Sequence, residues 1–197
     1  APRVRPSDLR TAPARTTPAR GERRMTAALL EGCVQRALFG RVNRAAAQAL
    51  AADGCEVVVP SGQGCCGALA LHAGREREAR RRAEATVAAF AGHDRIVVTA
   101  AGCGSAMKGY GDLLGTEEAR RFSAAVRDVT ELLAELGPAA ERRPRAPTRV
   151  VYQDACHLNH AQGVAAQPRE LLRTIPGVEL VEIEDAGTCC GSAGIYN

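Results

Sequence analysis

Eight cysteines are the residues of this sequence most able to do chemistry. They are Cys33, Cys55, Cys65, Cys66, Cys103, Cys156, Cys189 and Cys190. Thiols stay reduced inside most cells and rarely form structural crosslinks there. Four of them form two adjacent pairs, Cys65-Cys66 and Cys189-Cys190. Neighbouring cysteines form a disulfide with each other only with backbone strain, so these pairs argue against a secreted disulfide framework. The cysteines are therefore predicted to bind a metal ion or a metal cluster.

The cysteines recur in an internal repeat. Cys33 precedes the pair at residues 65–66, and Cys156 precedes the pair at residues 189–190. Cys156 follows Cys33 by 123 positions, and the second pair follows the first by 124. The first copy continues to Cys103, whereas the equivalent of Cys103 in the second copy would lie beyond the last residue. We therefore expect two related halves, of which the second is truncated.

The segments around the cysteines alternate short apolar runs with helical patterns. Strands are predicted in five of these runs, at Thr26–Leu30, Glu56–Val59, Arg95–Thr99, Thr148–Tyr152 and Val178–Ile183. Helices are predicted between the first two strands, over Arg75–Phe90 and over Val126–Leu136, where apolar residues recur on one face. Strands that alternate with helices form parallel sheets. The predicted fold class is therefore α/β, with two pseudo-repeated domains that each contain a short parallel sheet flanked by helices.

This fold would bring distant cysteines together. Cys33 follows the first strand, residues 65–66 follow the second, and Cys103 follows the third. The carboxyl ends of parallel strands meet at one edge of a sheet, and ligands bind at that edge. Glycines beside the cysteines, such as Gly64 and Gly102, let the backbone approach a bulky inorganic core. The four thiols are therefore predicted to converge on one site.

Four converging thiolates suit either structural zinc or an iron–sulfur cluster. Zinc sites usually present Cys-x-x-Cys knuckles, and this sequence contains no such pair. Adjacent cysteines with two distant partners favour a larger core that contains several metals. We therefore favour an iron–sulfur cluster, with zinc as the alternative.

Five segments around the cysteines carry more detailed motifs. They are residues 32–35, 64–69, 101–111, 154–158 and 189–197, and they include Gly-Cys-Cys-Gly at 64–67 and Cys-Cys-Gly-Ser-Ala-Gly at 189–194. Together they resemble the CCG cysteine-rich domains of the glycolate oxidase iron–sulfur subunit, over residues 25–197. The same domain class occurs in the B subunit of heterodisulfide reductase and in lactate-utilisation iron–sulfur proteins.

This resemblance implies iron–sulfur clusters of the 4Fe-4S type, held by cysteines, with no catalytic side chain. By motif match, Cys33, Cys65, Cys66 and Cys103 would ligate one cluster, and Cys156, Cys189 and Cys190 would supply part of a second. The general CCG pattern ends in Cys-x-x-Cys, whereas Ala106 stands at its last position here. That departure argues against a disulfide-cleaving site of the heterodisulfide reductase kind.

The resemblance also implies an oxidoreductase subunit that relays electrons and leaves substrate oxidation to a partner. The partner would be the FAD-containing subunits of glycolate oxidase (glycolate dehydrogenase), which oxidise glycolate to glyoxylate. Electrons would pass on to a membrane-bound or quinone-linked acceptor. The alternatives are a lactate-utilisation type iron–sulfur subunit and a zinc-stabilised interaction module without a redox role. The expected location is cytoplasmic, with peripheral attachment to the inner membrane only through partners.

Four segments are predicted along the chain. They are a Pro/Arg-rich linker over residues 1–24, a first CCG cysteine-rich domain over 25–137, a linker over 138–147 and a truncated second CCG domain over 148–197. A ferredoxin-like domain is expected upstream of the first linker. That linker holds seven arginines against two acidic residues, whereas the whole chain carries a net charge of +4. The remainder is therefore nearly neutral and, with six Phe and Tyr residues in all and no Trp, offers little surface for base stacking. We expect no nucleic-acid partner.

Four more residues near these motifs have other predicted roles. Cys55 lies outside the repeat and is predicted to be a small core residue. His157 and His160 are predicted to support the site from beside the ligands rather than to bind iron. His72 is predicted to be a surface residue.

Overall fold

The computed structural model describes residues 12–144 and 146–188. Five strands form the first sheet. They are β1 (Thr16–Thr17), β2 (Met25–Leu30), β3 (Cys55–Val58), β4 (Ile96–Val98) and β5 (Val126–Asp128). The order across the sheet is β1-β3-β2-β4-β5, in which β2 to β5 are parallel and β1 pairs antiparallel with β3. The three strands that precede the cysteines of the first half are therefore neighbours.

In the described residues, seven helices connect the strands of this sheet and an eighth follows its last strand. They are α1 (Cys33–Leu38), α2 (Gly40–Ala52), α3 (Ala68–His72), α4 (Glu76–Ala89), α5 (Ala101–Lys108), α6 (Tyr110–Leu114), α7 (Glu117–Ala125) and α8 (Val129–Leu136). The sequence of α4 shows how they pack: Ala79, Ala83 and Val87 recur on one buried face, and arginine and glutamate cover the other. The α/β class predicted from the sequence is confirmed.

The first sheet has an apolar core on each of its faces. Alternate residues of 27–30 in β2 face opposite sides, and all of them are at most 2% exposed. Tyr110 and Phe122 pack on one side, and Leu50 and Leu132 pack on the other. A strand buried on both faces appears in the sequence as a continuous apolar run, which explains why β2 was recognisable.

The second sheet is a smaller unit of the same kind. Strands β6 (Thr148–Val151) and β7 (Val178–Val181) are parallel, and α9 (Cys156–Gln162) and α10 (Ala166–Arg173) connect them. Arg169 of α10 donates to both carboxylate oxygens of Asp154, at 2.7 and 2.8 Å. This ion pair holds the segment just before Cys156 against α10. The predicted strand–helix–strand repeat is therefore present in both halves.

Two strands differ from the sequence-based prediction. The predicted helix Val126–Leu136 begins with a strand, because Val126 is fully buried beside Ile96 and Asp128 ends the strand by capping α8. Thr130 donates its backbone N–H to the Asp128 carboxylate, and Glu131 completes the capping box. The predicted first linker likewise contributes β1, which covers the edge of β3.

Part of the predicted second linker is also attached to the first half. The Asp53 carboxylate, which is fully buried, accepts hydrogen bonds from the backbone N–H groups of Ala139 and Ala140, both at 2.9 Å, and pairs with Arg142. Burial raises the pKa of Asp53, but these hydrogen bonds outweigh it and the net pKa is lowered. Hydrogen bonds therefore attach the segment after α8 to the carboxyl end of α2.

Among the described helices, none combines the length and the apolar character that crossing a membrane requires.

Candidate metal centre

Three adjacent strands deliver the cysteines of the first half to one edge of the sheet. Cys33 is the first residue of α1, three residues after β2. Residues 65–66 lie between β3 and α3, and Cys103 lies in the first turn of α5, just after β4. Since β2 is the neighbour of both β3 and β4, their carboxyl ends place all these residues together.

The thiols themselves lie close together. The sulfur atoms of Cys66 and Cys103 are 3.1 Å apart, and the thiol of Cys65 interacts with those of Cys33 and Cys66. The backbone N–H of Gly67 donates to the sulfur of Cys65 over 3.5 Å. The structure therefore brings together all four cysteines that the sequence assigned to one site, and their role as ligands stays a prediction.

A cavity of about 450 Å³ opens between these thiols, and its wall includes a residue of the second half. Cys156, at the start of α9, lines it together with Cys33, Cys65, Cys66 and Cys103. The sequence had placed Cys156 with a second cluster beside Cys189 and Cys190, which lie outside the described residues. Cys156 faces the same cavity as the first set, because α9 packs directly against α5, and its assignment to a second cluster stays a prediction.

The donor set fits a cluster better than a single ion. In the part of the chain that the structure describes, no group of three or more His, Cys, Asp or Glu side chains is gathered closely enough to hold one metal ion. The thiols instead surround a cavity whose wall is mostly apolar, with Val34 and Leu69 at its rim. Cysteine thiolates are the ligands that hold iron–sulfur clusters, so the donor set fits such a core.

Contacts among the thiols and their burial shift the pKa values of the cysteines in opposite directions. The hydrogen bond from Cys103 lowers the pKa of the Cys66 thiol to about 7, against the opposing effect of burial. The same hydrogen bond and burial raise the pKa of the Cys103 thiol, and burial raises that of Cys65. Because the thiolate is the form that binds metals, the lowered pKa favours the metal-binding form of the Cys66 thiol.

A buried tyrosine side chain is hydrogen-bonded to the backbone at Cys66. The hydroxyl of Tyr110 donates to the carbonyl oxygen of Cys66 over 2.5 Å, and the ring of Tyr110 stacks on Phe122 with centroids 5.5 Å apart. Burial raises the pKa of Tyr110, so its hydroxyl remains a neutral donor. The sequence analysis missed this residue, because only the fold brings Tyr110 under Cys66.

The histidines near the cysteines take different positions. His72, predicted to be a surface residue, is exposed but lines the cavity, where its ring stacks on that of His157 at a centroid distance of 5.7 Å. His160 hydrogen-bonds to the carbonyl oxygen of Gly187 at 2.9 Å. The stack joins α3 of the first half to α9 of the second. The predicted supporting roles of His157 and His160 stay predictions.

Cys55 lies away from the cavity. It is fully buried in the core beneath the sheet, with Val57 and Leu50 in the same cluster. Burial raises the pKa of its thiol to about 11. The predicted role as a small core residue is confirmed.

The sequence profile of the CCG cysteine-rich domain matches residues 27–108 and 150–197. The chain therefore belongs to the CCG cysteine-rich domain family. The two matched ranges correspond to the two halves of the fold, and together they contain Cys33, residues 65–66, Cys103, Cys156 and residues 189–190.

Several curated proteins are similar to this CCG-domain chain. It is 36% identical over 93% of its length to the probable glycolate oxidase iron–sulfur subunit of Bacillus subtilis, of which it covers 43%. It is 34% identical over 91% of its length to the glycolate oxidase iron–sulfur subunit of Escherichia coli, of which it covers 46%. It is 29% identical over 88% of its length to lactate utilization protein A of Geobacillus thermodenitrificans, of which it covers 74%.

The chain thus spans less than half the length of the two glycolate oxidase relatives. The CCG match and the iron–sulfur relatives together support the same cofactor as the thiol geometry, an iron–sulfur cluster.

Proposed function

We propose that this chain is the cluster-binding part of a glycolate oxidase iron–sulfur subunit. It would accept electrons from an FAD-containing partner that oxidises glycolate to glyoxylate and pass them to a quinone-linked acceptor. The observation that carries the proposal is the meeting of thiols from three strand ends at one cavity. The names and sequence similarity of the two glycolate oxidase relatives support the choice of complex.

Cys33, Cys65, Cys66 and Cys103 would hold the cluster, and Cys156 would begin the ligand set of the second half. When bound, the cluster supplies one-electron redox chemistry. The backbone N–H of Gly67 already points at the sulfur of Cys65, and such bonds stabilise charge on a ligand sulfur. No side chain of this chain would act on glycolate.

The walls of the cavity would control access to this centre. Ala68 is buried beneath Cys66, and the rim residues Val34 and Leu69 are about half exposed, at 51% and 48%. An exposed apolar rim suits contact with a protein partner. Electrons would therefore enter or leave at the Val34–Leu69 side of the cavity.

A lactate-utilisation subunit is the second candidate. Its support is the similarity to lactate utilization protein A, since the chain covers 74% of that protein. The cavity is the same in both cases, because the substrate would be oxidised on the partner. Only an assay with the partner distinguishes the two.

The first experiment measures iron and sulfide in anaerobically purified protein. We expect absorbance at about 400 nm that bleaches on reduction with dithionite. Cys66→Ser should lose most of the iron, whereas Cys55→Ser, a thiol outside the cavity, should keep it. A colourless protein that holds one equivalent of zinc would instead establish the interaction module.

The second experiment tests the complex. The full-length protein, co-purified with its flavoprotein, should be reduced when glycolate is added and not when lactate is added. Reduction by lactate alone would favour the second candidate, and reduction by neither would reject both.

A further inference from the structure

Three side chains outside the thiol set connect the loops that carry the cysteines. Gln63, two residues before Cys65, accepts a hydrogen bond from the backbone N–H of Glu31 over 2.8 Å. Its amide nitrogen donates to the carbonyl oxygens of Leu29 and Pro60, each over 3.0 Å. One side chain thus attaches the Cys65 loop to the end of β2.

Asn43 and Thr99 form the second connection. Asn43 of α2 is fully buried, and its amide nitrogen donates to the carbonyl oxygen of Glu31 over 2.8 Å. Its side-chain oxygen accepts from the hydroxyl of Thr99 over 2.7 Å, and the amide nitrogen of Gln35 donates to that hydroxyl over 3.2 Å. Thr99 directly follows β4 and stands four residues before Cys103. The Cys33 and Cys103 segments are therefore joined through Asn43.

Both connections meet at the same residue. The N–H of Glu31 is bonded to Gln63 and its carbonyl oxygen to Asn43, and Cys33 follows only two positions later. The backbone that leads into Cys33 is thus fixed relative to the loops of Cys65 and Cys103 at once. We name Asn43, Gln63 and Thr99 the polar clamp.

The clamp touches the cysteine loops but not the cavity. None of its three residues is among those that line the cavity. All three are uncharged, so their hydrogen bonds do not depend on pH near neutrality. Burying an amide costs free energy unless its donors and acceptors are paired, and a fully paired network fixes one geometry more strictly than apolar packing does.

We propose that the polar clamp positions the cysteine loops for cluster binding, so that Asn43, Gln63 and Thr99 set the spacing of thiols they never contact. This inference rests on the proposed function, because it assumes that the thiols hold a cluster. Residues that orient metal ligands from outside typically change metal affinity by 10- to 100-fold when they are substituted. The clamp should therefore control how firmly the cluster is held and the symmetry of its surroundings.

The test compares two clamp variants with matched controls in anaerobically purified full-length protein. Thr99→Val removes one hydroxyl at constant volume, and Gln63→Met removes three hydrogen bonds at similar length. Thr26→Val on β2 and Gln48→Met on α2 make the same changes at exposed positions. The readouts are the rate of cluster loss to an iron chelator and the electron paramagnetic resonance spectrum of the reduced cluster.

We expect both clamp variants to lose the cluster about 10- to 100-fold faster than wild type and to show shifted spectra, whereas the controls match wild type. Thr99→Ser, which keeps the hydroxyl, should restore both readouts. Clamp variants that match a loaded wild type would overturn the inference alone. Loss of the fold in both variants, measured by circular dichroism, would assign the clamp to the core and also overturn it. An iron-free wild type would overturn the proposed function and this inference with it.

Discussion

Tyr110→Phe tests how the fold holds Cys66 in place. The hydroxyl of Tyr110 donates to the Cys66 carbonyl oxygen over 2.5 Å, and its ring packs against Phe122. Phenylalanine keeps the ring and removes only the oxygen atom. Because Tyr110 is 1% exposed and Cys66 is 4% exposed, water cannot replace the lost donor. The substitution therefore removes the buried hydrogen bond beneath a predicted ligand, together with the side-chain hydrogen bond between Tyr110 and Thr86.

The expected cost follows from that burial. A protein hydrogen bond contributes about 0.5–1.5 kcal/mol net, and a buried polar group that loses its partner costs about 1–3 kcal/mol. Since both groups are almost fully buried, we expect the free energy of unfolding to fall by about 1–3 kcal/mol. The cluster should also be lost to a chelator faster than in wild type, because the Cys66 backbone is then less firmly held.

The assay is urea unfolding of the metal-free protein under reducing conditions, followed by chelator challenge of the loaded protein. Tyr152→Phe is the matched control, since its hydroxyl makes no hydrogen bond to any residue that the structure describes and its ring lies 5.0 Å from the Arg169 guanidinium. We expect that variant to stay within about 0.5 kcal/mol of wild type. Equal losses in the two variants would refute the argument that the hydroxyl of Tyr110 anchors Cys66.

Three further substitutions and one labelling experiment test other parts of the fold. Asp53→Asn should lower the free energy of unfolding by about 1–3 kcal/mol at pH 7 in urea titrations, because it breaks the pair with Arg142. Since the folded pKa of Asp53 is lowered, its contribution is complete above the unfolded pKa and should disappear as the pH falls through the folded pKa, a slope that the variant should lack. Gly67→Ala and Gly92→Ala share a φ of +81°, and each should lose about 1–2 kcal/mol from the left-handed backbone. Only Gly67→Ala should lose more, because its Cβ would lie 3.2 Å from a backbone oxygen of α4, so equal melting temperatures would contradict this packing. Cys55 should resist iodoacetamide at pH 8 until the protein unfolds, as read by mass spectrometry, since burial raises its pKa to about 11; rapid labelling in the native protein would place it outside the core.

The sequence predicted the central strands because they are buried on both faces. The run that forms β2 is apolar at four successive positions and β4 is buried at all three, whereas β3 alternates buried with half-buried residues. β5 was not predicted, because three residues that precede a helix carry no pattern of their own. Val126 belongs to a strand only because it pairs with Ile96. That pairing is a tertiary contact, which the local sequence does not reveal. β1 was missed for the same reason, since two threonines in a Pro/Arg-rich segment form a strand only beside β3.

The candidate site likewise contains residues that the sequence predicts and residues that only tertiary contacts reveal. The cysteines could be grouped from sequence because the repeat and the parallel sheet fix which loops meet. The residues that hold those loops could not, since the roles of Asn43, Gln63 and Tyr110 depend on contacts between segments that are distant in sequence. Their donors and acceptors find partners only once the strands are in register. Sequence therefore predicts which thiols would bind a cluster, and only the fold shows which side chains connect the loops that carry them.

The position of Cys156 shows the limit of reasoning from a repeat. A repeat predicts each half separately and does not predict how the halves dock. Here Gln162 of α9 donates to the carbonyl oxygen of Ala101 over 2.9 Å, and a Cβ at Gly104 would lie only 3.0 Å from the same amide. The missing side chain at Gly104 lets α9 approach α5 next to Cys103. Because Cys103 and Cys156 both stand in the first turns of these two helices, close packing of the helices brings both residues to one cavity.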